Sequence, residues 1–137
     1  VEPGDLVCVH TGYAEMLIEQ GRDVDAETMR TSCAALDGWD DRLLQWITDS
    51  GLVALISDNR AVEFEHGGPM PPAERGPLYA IHELCLFKLG VHLGELWYLA
   101  ELARWLREHQ RYRFLLTAPP LHLPGAVGSP ANPIATV

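Results

Sequence analysis

The chain has 137 residues, of which 47% are hydrophobic, and it carries a formal net charge of −9 at pH 7. This length favours one domain with a substantial hydrophobic core. The acidic balance argues against nucleic acid and against an anionic membrane as partners, because both bind basic surfaces. No run of eighteen apolar residues occurs, so the sequence predicts no membrane-spanning helix.

The first half of the chain predicts two buried strands separated by helices. The turn signal Pro3-Gly4-Asp5 precedes a first strand over residues 6–10, and a second strand covers residues 52–56. The predicted helices between them cover residues 14–20, residues 26–36, and a stretch that Asp40-Asp41 caps and that runs through Ile47. The triplet Ser57-Asp58-Asn59 then follows the second strand, where open α/β sheets usually place ligand-binding loops.

The second half predicts a long loop, two helices and a third strand. Residues 61–76 contain three of the ten prolines and three of the twelve glycines, and loops of this length are usually functional or disordered. Residues 78–89 are apolar almost all round, which predicts a buried helix. An extended bridge over residues 91–93 leads to an amphipathic helix over residues 95–110, and residues 112–117 form the third strand.

The order of these elements predicts an α/β fold, with a sheet flanked by helices. Three strands are few for a stable sheet, and the sequence starts at Val1 in what resembles a loop that leads into a strand. We therefore expect the chain to be part of a larger folded unit, in which the first strand pairs with strands from another segment.

The three cysteines, Cys8, Cys33 and Cys85, are odd in number and form no Cys-x-x-Cys pair. This pattern argues against a disulfide framework and favours a reducing, cytoplasmic location. Cys8 and Cys85 lie in apolar stretches, where a free cysteine is most often a small core residue. A cysteine nucleophile stays open as an alternative without specific support.

The strongest candidate site is formed by His82, in an apolar segment, and Glu95, thirteen residues later at the start of a predicted helix. An imidazole and a carboxylate that are buried together make an acid–base or metal-ligand pair, because burial and mutual charge set their protonation. Two plainer interpretations remain. His82 is also consistent with a structural core histidine, and Glu95 with a first-turn carboxylate that complements the helix dipole.

Other chemical motifs are weak or missing. His66, His92 and His122 do not lie at metal-ligand spacing, and no HxxxH or HxH unit occurs. His10 and Thr11, at a predicted strand end, suit either a pocket lining or a solvated turn. No glycine-rich phosphate loop and no Gly-x-Ser-x-Gly elbow is present, so nucleotide use and serine hydrolysis have no support.

The ordered set of these segments resembles the cyclase family of metal-dependent hydrolases, which includes bacterial kynurenine formamidases and isatin hydrolases. Each segment alone is only moderately specific, whereas the set in this order is considerably more so and spans most of the chain. The segments are residues 3–12, Ser57-Asp58-Asn59, Ile81-His82, Gly94-Glu95-Leu96, and the proline-rich ending that follows residues 112–116.

The resemblance implies a swivelling β/β/α fold of the kynurenine formamidase type, incomplete in this chain. Residues 1–137 would be the C-terminal portion of a single cyclase-like domain. The family's His-x-Gly-Thr-His-x-Asp-type motif, which supplies most of the metal ligands, does not occur in this sequence. By the resemblance, His82 and Glu95 complete the site as acid–base groups and metal ligands. The remaining ligands are expected from an absent N-terminal segment or subunit.

These implications lead to one expected function and one alternative. The expected function is part of a hydrolase that cleaves a C–N bond in a small linear or cyclic amide, possibly an aromatic one. Its cofactor would be Zn or Mn, which this chain alone would not bind tightly, and its assembly would be a homo-oligomer. The alternative is a non-catalytic subunit or fragment of a cyclase-like fold that serves assembly.

Overall fold

The computed structural model describes residues 1–64 and 77–137. The chain separates into two compact units, Val1–Ala100 and Glu101–Val137. Each unit is described by itself below. The assignment of residues 1–137 to a single cyclase-like domain stays a prediction.

The first unit is built on a parallel sheet of three strands, β1 (Leu6–Val9), β2 (Ala54–Ser57) and β3 (His92–Gly94). The sheet order is β1-β2-β3, with Leu6 opposite Ala54 and Ala54 opposite His92. Every residue of the central strand β2 is buried, as expected for a parallel strand covered on both faces. The helical elements are α1 (Tyr13–Gln20), the 3-10 turn Gly21–Asp23, α2 (Ala26–Thr31), α3 (Asp41–Ser50), and α4 (Ala80–His82), which continues as the π-helix Glu83–Leu89.

The core of this unit lies where these helices meet the sheet. Its buried members are Ile47, Leu52, Leu55, Val62, Ile81, Cys85 and Val91. Asp40 caps α3 by accepting a hydrogen bond from the backbone N–H of Arg42, as the sequence predicted. Gly51 ends that helix in the left-handed conformation, at φ 69°, which glycine adopts without a steric penalty.

The parallel sheet and the helices packed against it confirm the predicted α/β class. The swivelling β/β/α type stays a prediction.

The helix predicted over residues 26–36 is wrong in its second half, because α2 ends at Thr31. Cys33 takes a positive φ of 65°, which a right-handed helix does not permit. Beyond it, Leu36 pairs in parallel with Glu63, with Leu36 N–H donating to Val62 and Phe64 N–H donating to Leu36. These tertiary backbone bonds draw the segment into an extended conformation.

The prediction of a fully buried helix over residues 78–89 is also wrong. Phe87 is 85% exposed and Leu86 is 54% exposed, whereas Cys85 is completely buried. The segment from Glu83 onward is a π-helix, whose wider turns do not follow the spacing of the α-helix that the sequence predicts.

Two boundaries around Glu95 differ from the prediction. Residues 92–94 form a true sheet strand, β3, rather than a bridge between helices. The following helix, α5 (Ala100–Glu108), begins five residues after Glu95 rather than at it. Leu96 has a φ of 56°, and the N–H groups of Leu96 and Trp97 donate to the carbonyls of Asn59 and Ser57. The interpretation of Glu95 as a first-turn carboxylate is therefore wrong.

The second unit contains most of α5 and a two-stranded antiparallel sheet of β4 (Leu115–Thr117) and β5 (Ile134–Thr136). The third predicted strand thus exists in its second half, but its partner is β5, which the sequence analysis did not predict. Within the residues that the structure describes, no helix is long and apolar enough to cross a membrane.

Candidate active site

The polar residues of the candidate site collect at one edge of the parallel sheet. His10 and Thr11 follow β1, Asp58 follows β2, and Glu95 follows β3. Because the three strands are parallel, their carboxyl ends lie at the same edge, which is the usual ligand-binding edge of open α/β sheets. Local strand order thus brings together residues that are far apart in sequence.

Asp58 is an internal anchor at this edge, with only 1% of its surface exposed. One carboxylate oxygen accepts hydrogen bonds from the backbone N–H and the hydroxyl of Thr11, at 2.6 and 2.8 Å. The other accepts the N–H of Gly12 at 2.7 Å and lies 3.7 Å from Nε2 of His10. Asp58 therefore fixes the turn that leads from β1 into α1.

The neighbours of Asp58 are also engaged internally. Asn59 donates from its side chain to the carbonyl of Ala34 at 2.9 Å, and its backbone N–H donates to the hydroxyl of Ser57 at 3.0 Å. The triplet predicted as a ligand-binding loop thus lies at the expected edge, but its side chains bind other parts of the protein.

The structure brings His82 and Glu95 together. Nε2 of His82 lies 3.3 Å from Oε1 of Glu95, and about one third of each side chain is exposed. The same Glu95 oxygen accepts the backbone N–H of Val62 at 3.1 Å. The pair is thus held within unit 1 and remains partly open to solvent. Its catalytic and metal-binding roles stay predictions.

A third residue of the site, Glu63, was missed by the sequence analysis. Its side chain is 2% exposed, and its Oε1 lies 2.6 Å from Nδ1 of His82. The two carboxylate oxygens also accept the backbone N–H groups of Ile81 and His82, at 3.0 and 2.9 Å. His82 therefore lies between two carboxylates, with one ring nitrogen facing each of them.

The two carboxylates change the protonation of the site. The hydrogen bond to Glu63, followed by that to Glu95, raises the pKa of His82 from 6.5 to about 9. The hydrogen bond from His82, with a further one from the backbone of Val62, lowers the pKa of Glu95 despite partial burial. In the chain without a bound ion, a positive imidazolium thus lies beside a negative carboxylate at neutral pH.

These pKa values predict that stability falls as pH rises above neutrality. Because the folded-state pKa of His82 is about 9 and its ordinary value is 6.5, its contribution is complete below about pH 6.5 and is lost towards about pH 9. Glu95, whose pKa is lowered, contributes to the free energy of unfolding at neutral pH. This contribution is lost at acidic pH, as the pH falls through the folded-state pKa of Glu95. Urea unfolding in metal-free buffer across this range measures the effect.

The control for this prediction is His82→Gln, which cannot titrate. Its free energy of unfolding should fall less between about pH 6.5 and 9 than that of the wild type. Parallel pH profiles for the two proteins would show that His82 is not coupled to folding in this way.

None of the other described histidines forms a set of metal ligands together with His82 and Glu95. His92 lies on β3 and is exposed, and His122 lies in the second unit. His66 and most of the predicted loop over residues 61–76 lie outside the described residues. In residues 1–64 and 77–137, no group of three or more His, Cys, Asp or Glu side chains is arranged to hold a metal ion.

The cysteines show no sign of nucleophilic activation. All three are free thiols, and Cys85 is completely buried in the core. Burial raises the pKa of Cys8 and that of Cys85 to about 11, so neither forms a substantial amount of thiolate at neutral pH.

Among known structures, the chain is similar to the crystal structure of a novel cyclase. The two share 34% sequence identity with a TM-score of 0.70, over 100% of this chain and 41% of the other. No protein-family model and no curated protein matches the chain. The similarity supports a cyclase-like α/β fold, and this chain spans less than half the length of the solved cyclase.

Proposed function

We propose that this chain contributes one part of the active site of a metal-dependent hydrolase that cleaves a C–N bond in an amide. The convergence of His82 and Glu95 at the carboxyl edge of the sheet carries the proposal. Two further facts support it: the ordered resemblance to cyclase-family hydrolases, and the similarity to a solved cyclase over the whole chain.

The donor atoms of the pair fit a shared divalent ion. Zinc lies about 2.0–2.2 Å from histidine nitrogen and carboxylate oxygen, so two adjacent tetrahedral ligands are separated by about 3.4 Å. The 3.3 Å between Nε2 of His82 and Oε1 of Glu95 matches this separation. Two ligands are too few for tight binding, and we expect the others from a further segment or subunit of the same fold.

The chemistry of the site follows from these groups. A bound divalent ion would supply a water of lowered pKa and would polarise the amide carbonyl. The Glu95 carboxylate is suited to accept the proton of the attacking water, because its own pKa is lowered and it is ionised at neutral pH. His82, protonated at Nε2, is suited to pass a proton to the departing nitrogen. Whether each residue acts as a ligand or as an acid–base group stays open.

A non-catalytic role in assembly is the second candidate. It is favoured by the exposed apolar side chains Leu86 and Phe87 and by the lack of a metal-ligand cluster among the described residues. Large exposed apolar side chains on one segment are typical of contact surfaces.

Metal analysis and an amidase assay on the native assembly that contains this chain separate the two functions. We expect about one or two divalent ions per site, and hydrolysis of an N-formylated aromatic amine or a cyclic aromatic amide that a chelator abolishes. The isolated chain should bind Zn²⁺ weakly. Tight stoichiometric binding by the isolated chain, or a metal-loaded assembly without any amidase activity, would contradict the proposed function.

A further inference from the structure

We propose that Glu63 is the positioning residue of the site: it holds one hydrogen of the His82 ring on Nδ1, so that Nε2, which faces Glu95, is the nitrogen that gains or loses the second proton or binds a metal ion. This inference rests on the proposed function for its purpose, because Nε2 is the working atom whether His82 binds a metal or transfers a proton. The hydrogen-bond arrangement itself is a property of the chain and is tested separately.

The direction of the hydrogen bond follows from the other partners of Glu63. Both of its oxygens already accept backbone N–H groups, from Ile81 and His82. An ionised carboxylate can act only as an acceptor, so its contact with the ring at 2.6 Å requires a hydrogen on Nδ1. Metal-binding histidines are commonly oriented in this way by a carboxylate on the other ring nitrogen.

The same carboxylate also fixes the backbone from which the ring projects. The N–H groups of Ile81 and His82 belong to the first turn of α4, where helical N–H groups have no partner within the helix. Glu63 supplies that partner from an extended segment that pairs with Leu36. One buried side chain thus holds both the helix start and the imidazole plane, which leaves the ring little freedom to rotate.

The backbone of Gly38 closely approaches one oxygen of the Glu63 carboxylate. A Cβ atom added at Gly38 would overlap Oε2 of Glu63 and would lie 3.6 Å from the Cβ of Ala80. Gly38 is buried, so the displaced carboxylate has no solvent to enter. The position of Glu63 is therefore set by a close approach that only glycine allows.

The test is the ring state of His82 in the folded chain, measured by long-range ¹H–¹⁵N spectra of histidine-labelled protein. The spectra are recorded without metal at a pH above about 9, where the ring is neutral. We expect the hydrogen on Nδ1 in the wild type. In Glu63→Gln, an NH₂ group replaces one of the two acceptor oxygens and the negative charge that favours a hydrogen on Nδ1 is lost, so we expect the second tautomer to become populated. Zn²⁺ affinity of the native assembly should fall by about tenfold to a hundredfold.

Two further variants keep the test decisive. Gly38→Ala displaces the carboxylate without changing any charged group and should shift the tautomer in the same direction. Glu83→Gln is the matched control, since Glu83 adjoins His82 but forms a surface ion pair with Lys88 at 2.6 Å, and it should leave the tautomer unchanged.

The outcomes separate this inference from the proposed function. A wild-type ring with its hydrogen on Nε2, or an unchanged tautomer and Zn²⁺ affinity in Glu63→Gln, overturns the positioning role. An assembly without amidase activity would overturn the proposed function and leave the ring assignment standing.

Discussion

Glu95→Gln should lower kcat of an active assembly at least about a hundredfold, which is the scale of a lost acid–base group. The amide is nearly the same size, and its oxygen can still accept the N–H of Val62, so the fold should persist. It cannot carry the negative charge that faces Nε2 of His82 at 3.3 Å, nor can it accept a proton at neutral pH. Steady-state kinetics, with circular dichroism to check folding, measure the effect.

The matched control is Glu27→Gln, because Glu27 is an exposed carboxylate in the first turn of α2, in the same unit as the site. Its kcat should stay within about twofold of the wild type, as expected for a group that touches no reacting atom. If Glu95→Gln leaves turnover unchanged while the protein is folded, the pair with His82 is structural and the proposed hydrolase loses its main support.

Asp58→Asn should destabilise the first unit by about 2–4 kcal/mol, the range for a buried polar group that loses its hydrogen-bond partners. Both oxygens of Asp58 accept N–H groups, from Thr11 and Gly12. An asparagine places an NH₂ group against one of these donors, so two hydrogens face each other in a site that water does not reach. Urea denaturation followed by tryptophan fluorescence gives the change in the free energy of unfolding.

Asp41→Asn serves as the control for this substitution. Asp41 is exposed in the first turn of α3, where its carboxylate contributes only the modest interaction with the helix dipole. Its effect should stay below about 1 kcal/mol. Equal losses in the two variants would indicate that the buried hydrogen bonds of Asp58 contribute little beyond its charge.

The parts of the fold that the sequence predicts well are those with strong local signals. The turn at Pro3-Gly4-Asp5 and the apolar runs after it and after Gly51 placed β1 and β2 to within two residues. Asp40 was correctly taken as a helix cap, because a capping carboxylate acts on the next turn of the same helix.

The parts that were missed depend on contacts between distant segments. The leucine spacing after Gly94 favoured an immediate helix, but the N–H groups of Leu96 and Trp97 donate instead to Asn59 and to Ser57, the last residue of β2. The strand β3 has only three residues, which is too short for a period-2 pattern. Tertiary hydrogen bonds thus outweighed local helix propensity at this point.

The candidate site was also predicted only in part, because local sequence signals do not report contacts between distant segments. The pairing of His82 with Glu95 was predicted from an imidazole in an apolar segment and a carboxylate soon after it, and the family resemblance strengthened it; the structure places the two side chains in contact range. Glu63 was overlooked because it lies in a proline- and glycine-rich stretch. The alternation Val62-Glu63-Phe64 would have predicted a solvent-facing carboxylate, whereas Glu63 is buried and Phe64 is exposed, so the local sequence carried no signal for this residue.

The π-helix Glu83–Leu89 lies between His82 and Glu95. The number of residues that separate the pair in sequence is therefore constrained by this helix. Gly90 leaves this segment with its N–H bonded to the carbonyl of Cys85, and β3 follows directly. Phe87 is the most exposed apolar residue of this π-helix. Its deletion would favour an ordinary α-helix and shift β3 by one register position. Such a shift would turn each side chain of the strand to the opposite face of the sheet. Homologues that keep a working pair should therefore vary at the exposed positions 86 and 87 but resist insertions and deletions between residues 83 and 89.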